Sequence, residues 1–399
     1  MLIHRLRYTG LWSLLLGLGA CQQSDSHSAA ASEAPAAKMA TAPAAAPGAP
    51  AATQDAAAPA GPFTGTHRYV GTVGTAPVVL TLTITPPGPE APQGRLDGVY
   101  YYERQGQPLI LSVGKNYRPG QPLVLEEGAP KPDAPDETVP TGRWQATQPL
   151  GPELSGTWLS PDGRRRKPFH LREDYTGAVR YELLREEAHG ATCPPGPEEE
   201  GGGPRRPEVS RTVLHLLGPD TLQPALRALQ CPLPEQRRSQ LAVELDQADC
   251  EGTFGFYGDV QVALNGYGLL SVQHSEGEYA GGAYPNSANE LATYDLRTGR
   301  LLKRTAWLRA GREPALSRLL LRRLRMHPYA SSLGLNEPGG PAYLPELGFD
   351  SEGAYCLLGD FGAPHAVQGV PVVIPYRELR PLVQPGSALA RMLQQRGLW

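Results

Sequence analysis

Alternating hydrophobic and polar residues mark the first part of the folded chain. The segment APVVLTLTIT places one set of apolar side chains on a single side of an extended strand, namely Val78, Leu80, Leu82 and Ile84. The intervening positions are mostly threonine. A period of two residues predicts a half-buried strand in an antiparallel sheet.

Two later segments repeat a hairpin pattern. LDGVYYYERQGQPLILSVG predicts two short strands around Gln105-Gly106. LSGTWLSPDGRRRKPFHL predicts two more around the turn from Ser160 to Gly163, where proline and then Asp-Gly favour a tight reversal. Helical periodicity is missing from this part of the sequence. We therefore expect residues 62–175 to form an all-β meander, closed as a small barrel or sandwich.

A Pro- and Gly-rich segment separates this region from a second pattern. Residues 176–207, which include CPPGPEEEGGGPRRP, are predicted to be a linker. In residues 208–399, strand-like segments come first, with a hairpin at Asn265-Gly266, and an amphipathic helix follows in EPALSRLLLRRLRMH. This order predicts an α+β domain in which helices pack on an antiparallel sheet, and an α+β class for the whole chain.

The N-terminus has the pattern of an export signal. A basic start is followed by an apolar run from Leu11 to Leu18 and then by Gly19-Ala20-Cys21. The run is too short to span a bilayer, and small residues before a cysteine resemble a bacterial lipobox. Residues 1–21 are therefore interpreted as a lipoprotein signal peptide in which Cys21 carries lipid and holds the protein at a membrane. Because Gln22 rather than aspartate follows, the outer membrane is the expected location in the cell envelope.

The next segment should hold the folded part away from that membrane. Residues 22–61 are rich in alanine and proline and have almost no large apolar side chains. Such a composition cannot form a core, so we expect a disordered tether.

Cysteine usage fits an oxidising compartment. Beyond Cys21 the chain has four cysteines, Cys193, Cys231, Cys250 and Cys356. None has Cys-x-x-Cys spacing, and an exported chain permits disulfides between them. Four cysteines allow three pairings; we favour Cys231–Cys250. The alternative is one disulfide with two free thiols, Cys356 buried in the strand-like GAYCLLGD and Cys193 exposed in its loop.

Charge and motifs give little support for chemistry. A net charge of −3 offers no electrostatic basis for binding nucleic acid. Nucleophile elbows, P-loops and His-Glu-x-x-His are missing from the sequence. His274, Glu276 and Glu278 could share a strand face and hold a metal, although carboxylates at a strand end are more commonly solvated. The sequence thus predicts neither cofactor nor metal, and a protein that is not an enzyme is favoured.

Three motifs in the second region resemble a known family. They are Tyr279-Ala280-Gly281-Gly282-Ala283-Tyr284, then Asp295 to Gly299 (DLRTG), and Ile374 to Leu379 (IPYREL). In this order they resemble the ectodomain of lysozyme-sensing anti-sigma factors, a domain that also accompanies certain peptidoglycan polysaccharide deacetylases. The family usually has histidine where this chain has Tyr284. Residues 62–175 resemble a small β-domain of bacterial envelope lipoproteins.

The resemblance implies a binding module rather than a catalyst. Its partner would be a lysozyme-type protein or cell-wall glycan, and the contact loop would carry Tyr279, Gly281, Gly282, Tyr284, Asn286 and Asn289. A purely structural role for the two glycines stays open, since glycine permits a tight crossing. The alternative function is a hydrolase or accessory subunit acting on peptidoglycan. A glycosidase needs two carboxylates beside the sugar, for which Asp295 and Glu278 are candidates.

Overall fold

The computed structural model defines the fold from residue 65 onward. It describes residues 65–85, 94–113, 120–131, 134–193, 206–218, 226–229, 234–250, 252–281, 285–333 and 344–399. The predicted signal peptide with Cys21 and the predicted tether 22–61 lie outside these residues.

The first eight strands form a closed antiparallel barrel. Each strand pairs with the next, and the last pairs with the first. The strands are β1 Gly65–Val73, β2 Ala76–Thr85, β3 Arg95–Tyr102, β4 Leu109–Val113, β5 Pro122–Lys131, β6 Ala134–Pro149, β7 Glu153–Leu159 and β8 Arg166–Glu173. A barrel rather than a sandwich is thus the form that the β-meander takes.

The alternation in β2 explains how the barrel is filled. Val78, Leu80, Leu82 and Ile84 are all buried in one cluster with aromatic residues from other strands. Trp144 contacts Tyr100 edge to face with ring centroids 5.0 Å apart, and it packs at 4.6 Å on Phe169. The apolar side of each strand therefore meets the others in one core, as the period of two residues predicts.

A carboxylate lies within this core. Glu127 on β5 is 4% exposed. Its Oε2 accepts hydrogen bonds from Tyr100 Oη at 2.6 Å, Trp144 Nε1 at 2.8 Å and Trp158 Nε1 at 2.7 Å. Its Oε1 accepts one from Thr141 at 2.8 Å. Four neutral donors therefore replace the water that a buried carboxylate loses.

A six-stranded sheet follows the barrel. Its strands are β9 Tyr181–His189, β10 Glu208–Leu216, β11 Gly255–Gly266, β12 Leu269–Tyr279, β13 Asn286–Asp295 and β14 Arg300–Leu301, lying side by side in chain order. Strand β9 falls within the segment 176–207 that the sequence predicts as a linker; it pairs with β10 along its whole length. The sheet is antiparallel except between β10 and β11, because the chain crosses over between them through helix α1, Pro234–Gln247.

The turn between β11 and β12 differs from the sequence prediction. It lies at Tyr267-Gly268, both with positive φ (57° and 83°), two residues beyond the predicted Asn265-Gly266. Asn265 has another role: its side chain binds both backbone groups of Val179, accepting from the N–H at 2.9 Å and donating to the carbonyl at 2.7 Å. This contact holds the segment before β9 against the hairpin.

The C-terminal part packs helices and a small sheet against the six-stranded sheet. The helices are α2 Arg304–Trp307, α3 Glu313–Met326, α4 Tyr376–Leu379 and α5 Ala388–Gln395, and the strands are β15 Gly348–Phe349, β16 Gly353–Leu357 and β17 Pro371–Pro375. Helix α3 buries Leu316, Leu320 and Leu324, so the predicted amphipathic helix is confirmed. The described chain is mostly β, and its helical layer is modest.

Two buried arginines join the barrel to the second region. Arg68 on β1 donates to the carbonyls of Asn265 at 2.9 Å and Asp174 at 2.6 Å. Arg396, just after α5, donates to the carbonyl of Glu103. In addition, Ser351 donates to the carbonyl of Gly106 in the β3–β4 turn at 2.6 Å. The two regions thus share a polar, buried interface.

The disulfide differs from the favoured pairing. Cys193 is bonded to Cys250, with Cα atoms 5.5 Å apart. The prediction of Cys231–Cys250 is therefore wrong; Cys231 itself lies outside the described residues. Cys193 follows β9 and Cys250 precedes β11, and β9 and β11 both flank β10, so the sheet brings the two cysteines together. Cys356 is free and fully buried in β16, as the alternative expected, but the same alternative is wrong about Cys193, which is not a free thiol.

Candidate functional site

A polar cleft lies between the six-stranded sheet and the C-terminal sheet. Its volume is about 470 Å³, which is in the range of small-molecule sites. One wall is formed by β11, β12 and β13, and the other by residues around β15, β16 and the start of β17. Seven amide or hydroxyl side chains line it, namely Gln261, Gln273, Ser275, Ser287, Asn289, Tyr355 and Gln368.

Strand register explains why these residues share one wall. On β12, Ser271, Gln273 and Ser275 are alternate residues and point to the same face, which we call the cleft face. Ser275 lies opposite Asn289 on β13, and Ser287 lies opposite Gly277. One end of the cleft face is covered by the C-terminal core, and the other end carries the polar side chains and stays open.

Hydrogen bonds orient the sheet wall. Ser275 Oγ donates to Asn289 Oδ1 at 2.6 Å, and Gln273 Nε2 lies 3.4 Å from the same oxygen. Because the oxygen of Asn289 is occupied, its Nδ2 is left to donate to a ligand. Ser287 lies on the sheet wall and Gln368 on the opposite wall. The Ser287 Oγ is 3.4 Å from Gln368 Oε1, so these two side chains link the walls.

The opposite wall contributes one carboxylate. Asp350 follows β15, and its Oδ1 accepts from the backbone N–H groups of Glu352 and Gly353, each at 2.7 Å. The preceding strand is fixed to the sheet, since the N–H of Phe349 donates to Ser271 Oγ at 3.1 Å. Ser271 in turn bonds the hydroxyl of Thr293 at 2.8 Å, and both are buried. Asp350 is therefore held rigidly at the edge of the cleft.

Burial changes the acidity of this group. Loss of water around Asp350 raises the pKa of its carboxyl to about 6, against the opposing effect of the two backbone N–H donors and Arg396. Tyr355, another cleft residue, has a raised pKa for the same reason, with the charge of Asp350 as a second cause. At neutral pH the carboxylate is ionised.

The chemistry of the cleft is that of hydrogen bonding. Among the described lining residues, Asp350 is the one carboxylate, His365 the one imidazole, and lysine and arginine are missing. Amides, hydroxyls and one carboxylate match the hydroxyl and amide groups of a sugar or peptide ligand. A pair of carboxylates of the kind that glycosidases use is not present among these residues.

The predicted site residues do not form one surface. Asn289 lines the cleft, but Asn286 pairs with Glu278 and so points to the other face of the sheet, which we call the far face. Tyr279 ends β12 and packs on Phe254 with ring centroids 6.2 Å apart. Gly281 follows with φ of 92°, where a side chain would be strained. Gly282 and Tyr284 lie outside the described residues.

The structure separates the two carboxylates proposed for hydrolysis. Asp295 pairs with Leu269 at one end of β12, and Glu278 lies nine residues further along that strand. At about 3.3 Å per residue they are roughly 30 Å apart, and they project to opposite faces. Asp295 also accepts a hydrogen bond from Arg391 at 2.9 Å. These two residues cannot act on one glycosidic bond.

His274 and Glu276 lie on the far face. They line a smaller pocket of about 210 Å³ together with Arg211, which pairs with Glu244 at 2.7 Å. In the described part of the chain, no group of three or more His, Cys, Asp or Glu side chains is arranged to hold a metal ion.

Several cleft residues were missed by the sequence analysis. Gln273 and Ser275 alternate with other residues on a strand that the sequence indicates, so their common face could have been read from the pattern. Asp350 belongs to Asp-Ser-Glu-Gly, a typical turn sequence, which suggests a local cap and gives no hint of a cleft. Because Asp350 is far from β12 in sequence, the sequence pattern does not show that both contribute to the same cleft.

Two solved structures are similar to part of this chain. The chain resembles a DUF3298 family protein from Pseudomonas aeruginosa PAO1, with 20% identity, a TM-score of 0.38 and coverage of 52% of this chain and 95% of that one. It also resembles a DUF3298 member from Bacteroides fragilis NCTC 9343, with 16% identity, a TM-score of 0.41 and coverage of 55% and 100%. No family profile and no curated protein matches the chain.

Both of these neighbours are bacterial proteins. At this level of similarity they assign no function. The resemblance to anti-sigma factor ectodomains and to deacetylases stays a prediction. Among the described helices, none has the length and apolar character needed to cross a bilayer.

Proposed function

We propose that this protein is a non-catalytic binding module of the bacterial cell envelope, and that its cleft binds cell-wall glycan. The observation that carries the proposal is the polar cleft between β12–β13 and the C-terminal sheet. Its volume suits one or two sugar rings, and its amides and hydroxyls suit their hydroxyl and acetamido groups.

Side chains of the cleft are held in place by hydrogen bonds, and this supports a role in ligand recognition. Asn289 is fixed by Ser275, and Asp350 is fixed by two backbone N–H groups, so both are oriented before a ligand arrives. Groups that are already ordered lose little entropy on binding. The proposal favours binding over hydrolysis because one carboxylate lines the cleft and the other acidic candidates lie elsewhere.

The test compares binding with turnover. The purified chain is incubated with peptidoglycan sacculi, and both the sedimented protein and any released sugar or peptide are measured. We expect co-sedimentation without release. Asn289→Ala should weaken binding by roughly 3- to 10-fold, the value of one neutral hydrogen bond. Asn286→Ala, on the same strand but on the far face, is the matched control and should bind normally.

The outcomes separate the alternatives. Release of sugar would favour the hydrolase, and equal losses in the two asparagine variants would place the ligand away from the cleft. A lysozyme-type protein, which the family resemblance suggests as a partner, should be tested in the same assay. Binding of that protein without any binding of sacculi would replace the glycan proposal.

We also propose that the module is anchored by lipid on Cys21, at the outer membrane. The support comes from the lipobox pattern and the Ala/Pro-rich segment 22–61. Mass spectrometry of the mature N-terminus tests it: an acylated Cys21 is expected, and an unmodified N-terminus at another residue would contradict it.

A further inference from the structure

The geometry of Asp350 points to a more specific ligand: we propose that the cleft selects a unit that carries a primary ammonium group, and that this group pairs with Asp350. The inference rests on the proposed function and adds the chemical class of the ligand. For a glycan, the unit would be an amino sugar with a free amine rather than an N-acetylated one.

The first argument is the state of the carboxylate. Oδ1 of Asp350 is engaged by two backbone N–H groups. Oδ2 has no hydrogen-bond partner among the described residues, and Asp350 is both partly exposed and part of the cleft wall. One oxygen therefore serves the fold, and the other is available to a ligand.

The second argument is the balance of charge. No lysine or arginine belongs to the described lining of the cleft. The positive charge of Arg396 acts on Asp350 and lowers its pKa. The Arg396 guanidinium, however, donates its hydrogen bonds to the Glu103 carbonyl and lies over the rings of Tyr101, Tyr267 and Tyr376. The neighbouring Glu352 adds negative charge. Among the described residues, no lysine or arginine forms an ion pair with Asp350, so a cationic ligand can pair with this carboxylate directly.

The third argument concerns what surrounds the carboxylate. Across the cleft stand Gln273, Ser275 and Asn289, which can bind hydroxyl groups next to the amine. A sugar with adjacent amine and hydroxyl groups matches this arrangement. A peptide amine shares the ammonium chemistry, so the experiment must distinguish these two sources.

The experiment is isothermal titration calorimetry on the purified full chain with three probes: chitotriose, which has free amines, tri-N-acetylchitotriose, and a short lysine-containing peptide. We expect chitotriose to bind about tenfold or more tightly than its acetylated form, the effect of one charge-assisted hydrogen bond. Asp350→Asn keeps the acceptor for both N–H groups and removes the charge. It should lower the affinity for chitotriose toward that for the acetylated sugar, so that the preference is lost.

Asp360→Asn is the control, because Asp360 accepts from the N–H of Leu357 at 3.0 Å but does not line the cleft. Equal affinity of the two sugars for the wild-type chain would overturn the inference and leave the proposed function intact. Failure of all three probes to bind would overturn both the inference and the proposed function. If the peptide binds best and depends on Asp350, the ammonium site stands and its source is a peptide. The wild-type comparison does not depend on how well any variant folds.

Discussion

Arg396 forms two hydrogen bonds to one backbone carbonyl, that of Glu103, from Nε at 3.1 Å and Nη2 at 2.7 Å. The arginine follows the last helix and the carbonyl belongs to the barrel, so this contact spans 293 positions of sequence. Arg396 is 3% exposed and has no carboxylate partner among the described residues. Three tyrosine rings with centroids at 5.4–5.6 Å surround its guanidinium, which compensates for part of the lost hydration.

The first prediction is that this arginine holds the barrel to the second region. Arg396→Ala should lower the free energy of unfolding by about 2–4 kcal/mol, because it removes a buried charge-assisted pair and leaves the carbonyl unpaired. Arg396→Lys should recover only part of the lost stability, since the lysine ammonium lacks the planar guanidinium that donates two hydrogen bonds to one carbonyl. Chemical denaturation followed by fluorescence and circular dichroism measures both effects.

Arg380→Ala is the matched control. Arg380 is exposed, so its replacement should change stability by less than about 0.5 kcal/mol. If Arg396→Ala were as mild as this control, the junction would depend on other contacts such as that of Arg68 with Asn265.

The second prediction concerns the carboxylate inside the barrel. Glu127→Leu leaves the donors of Tyr100, Trp144 and Trp158 without an acceptor, so it should cost about 4 kcal/mol or more, or prevent folding. Glu127→Gln retains one oxygen for these donors and turns its amide toward the hydroxyl of Thr141, so a loss of about 1–2 kcal/mol is expected.

Urea denaturation monitored by tryptophan fluorescence checks this ranking. Glu126→Gln is the neighbouring control, because Glu126 lies on the same strand but is half exposed and pairs with Arg143 on the surface. Equal stability of the two glutamine variants would show that the buried carboxylate of Glu127 contributes no more to the free energy of unfolding than the surface carboxylate of Glu126.

The barrel could be predicted because its signals are local. Val78 to Ile84 carry the alternation that places them in one core, and the turn at Ser160 to Gly163 joins β7 to β8. The signal at Asn265-Gly266 was local as well, but a distant contact decided its use: the Asn265 side chain binds Val179, and the turn moved to the next two residues. Tertiary contacts of this kind are not visible in a single segment.

The cleft could be predicted only in part. Asn289 was among the candidates, but the wall opposite it comes from Asp350, more than fifty residues later, and only packing of the C-terminal sheet on the six-stranded sheet brings them together. The disulfide shows the same limit. Cys231–Cys250 is closer in sequence, whereas Cys193 reaches Cys250 because β9 and β11 lie on either side of β10.

The third prediction is that Cys193 and Cys250 contribute as one unit. Their separation of 57 residues corresponds to about 4 kcal/mol on the loop-entropy estimate. Cys193→Ser, Cys250→Ser and the double variant should therefore lose similar stability. Peptide mapping without reduction should find these two cysteines linked; a peptide that joins Cys231 to Cys250 would contradict the pairing.

Cys356 is a free cysteine and can be compared with the disulfide-bonded Cys193 and Cys250 in the same chain. It is fully buried, and burial raises the pKa of its thiol. We expect it to react with a maleimide only after the protein is unfolded. Rapid labelling of Cys356 in the folded protein would mean that β16 opens readily.

The last prediction is a dependence of stability on pH that arises from Asp350. Its pKa is raised from 3.8 to about 6 in the folded chain, so the folded state binds the proton more tightly than the unfolded state. Protonated Asp350 is therefore the more stable form. Its contribution is greatest below about pH 4, declines as the pH rises to about 6, and stays low above that; the total change is about 1–3 kcal/mol.

Asp350→Asn should remove this part of the pH dependence while retaining the hydrogen bonds from Glu352 and Gly353. The difference in unfolding free energy between wild type and variant, measured by denaturant titration from pH 4 to 8, isolates the effect from all other titrating groups. Glu352, whose pKa is also raised by burial, remains in both proteins, so it enters the difference only through its interaction with the charge of Asp350. We expect the wild type to lose stability relative to the variant between pH 4 and 6. A constant difference over this interval would show that Asp350 is better solvated than its place beside β15 implies.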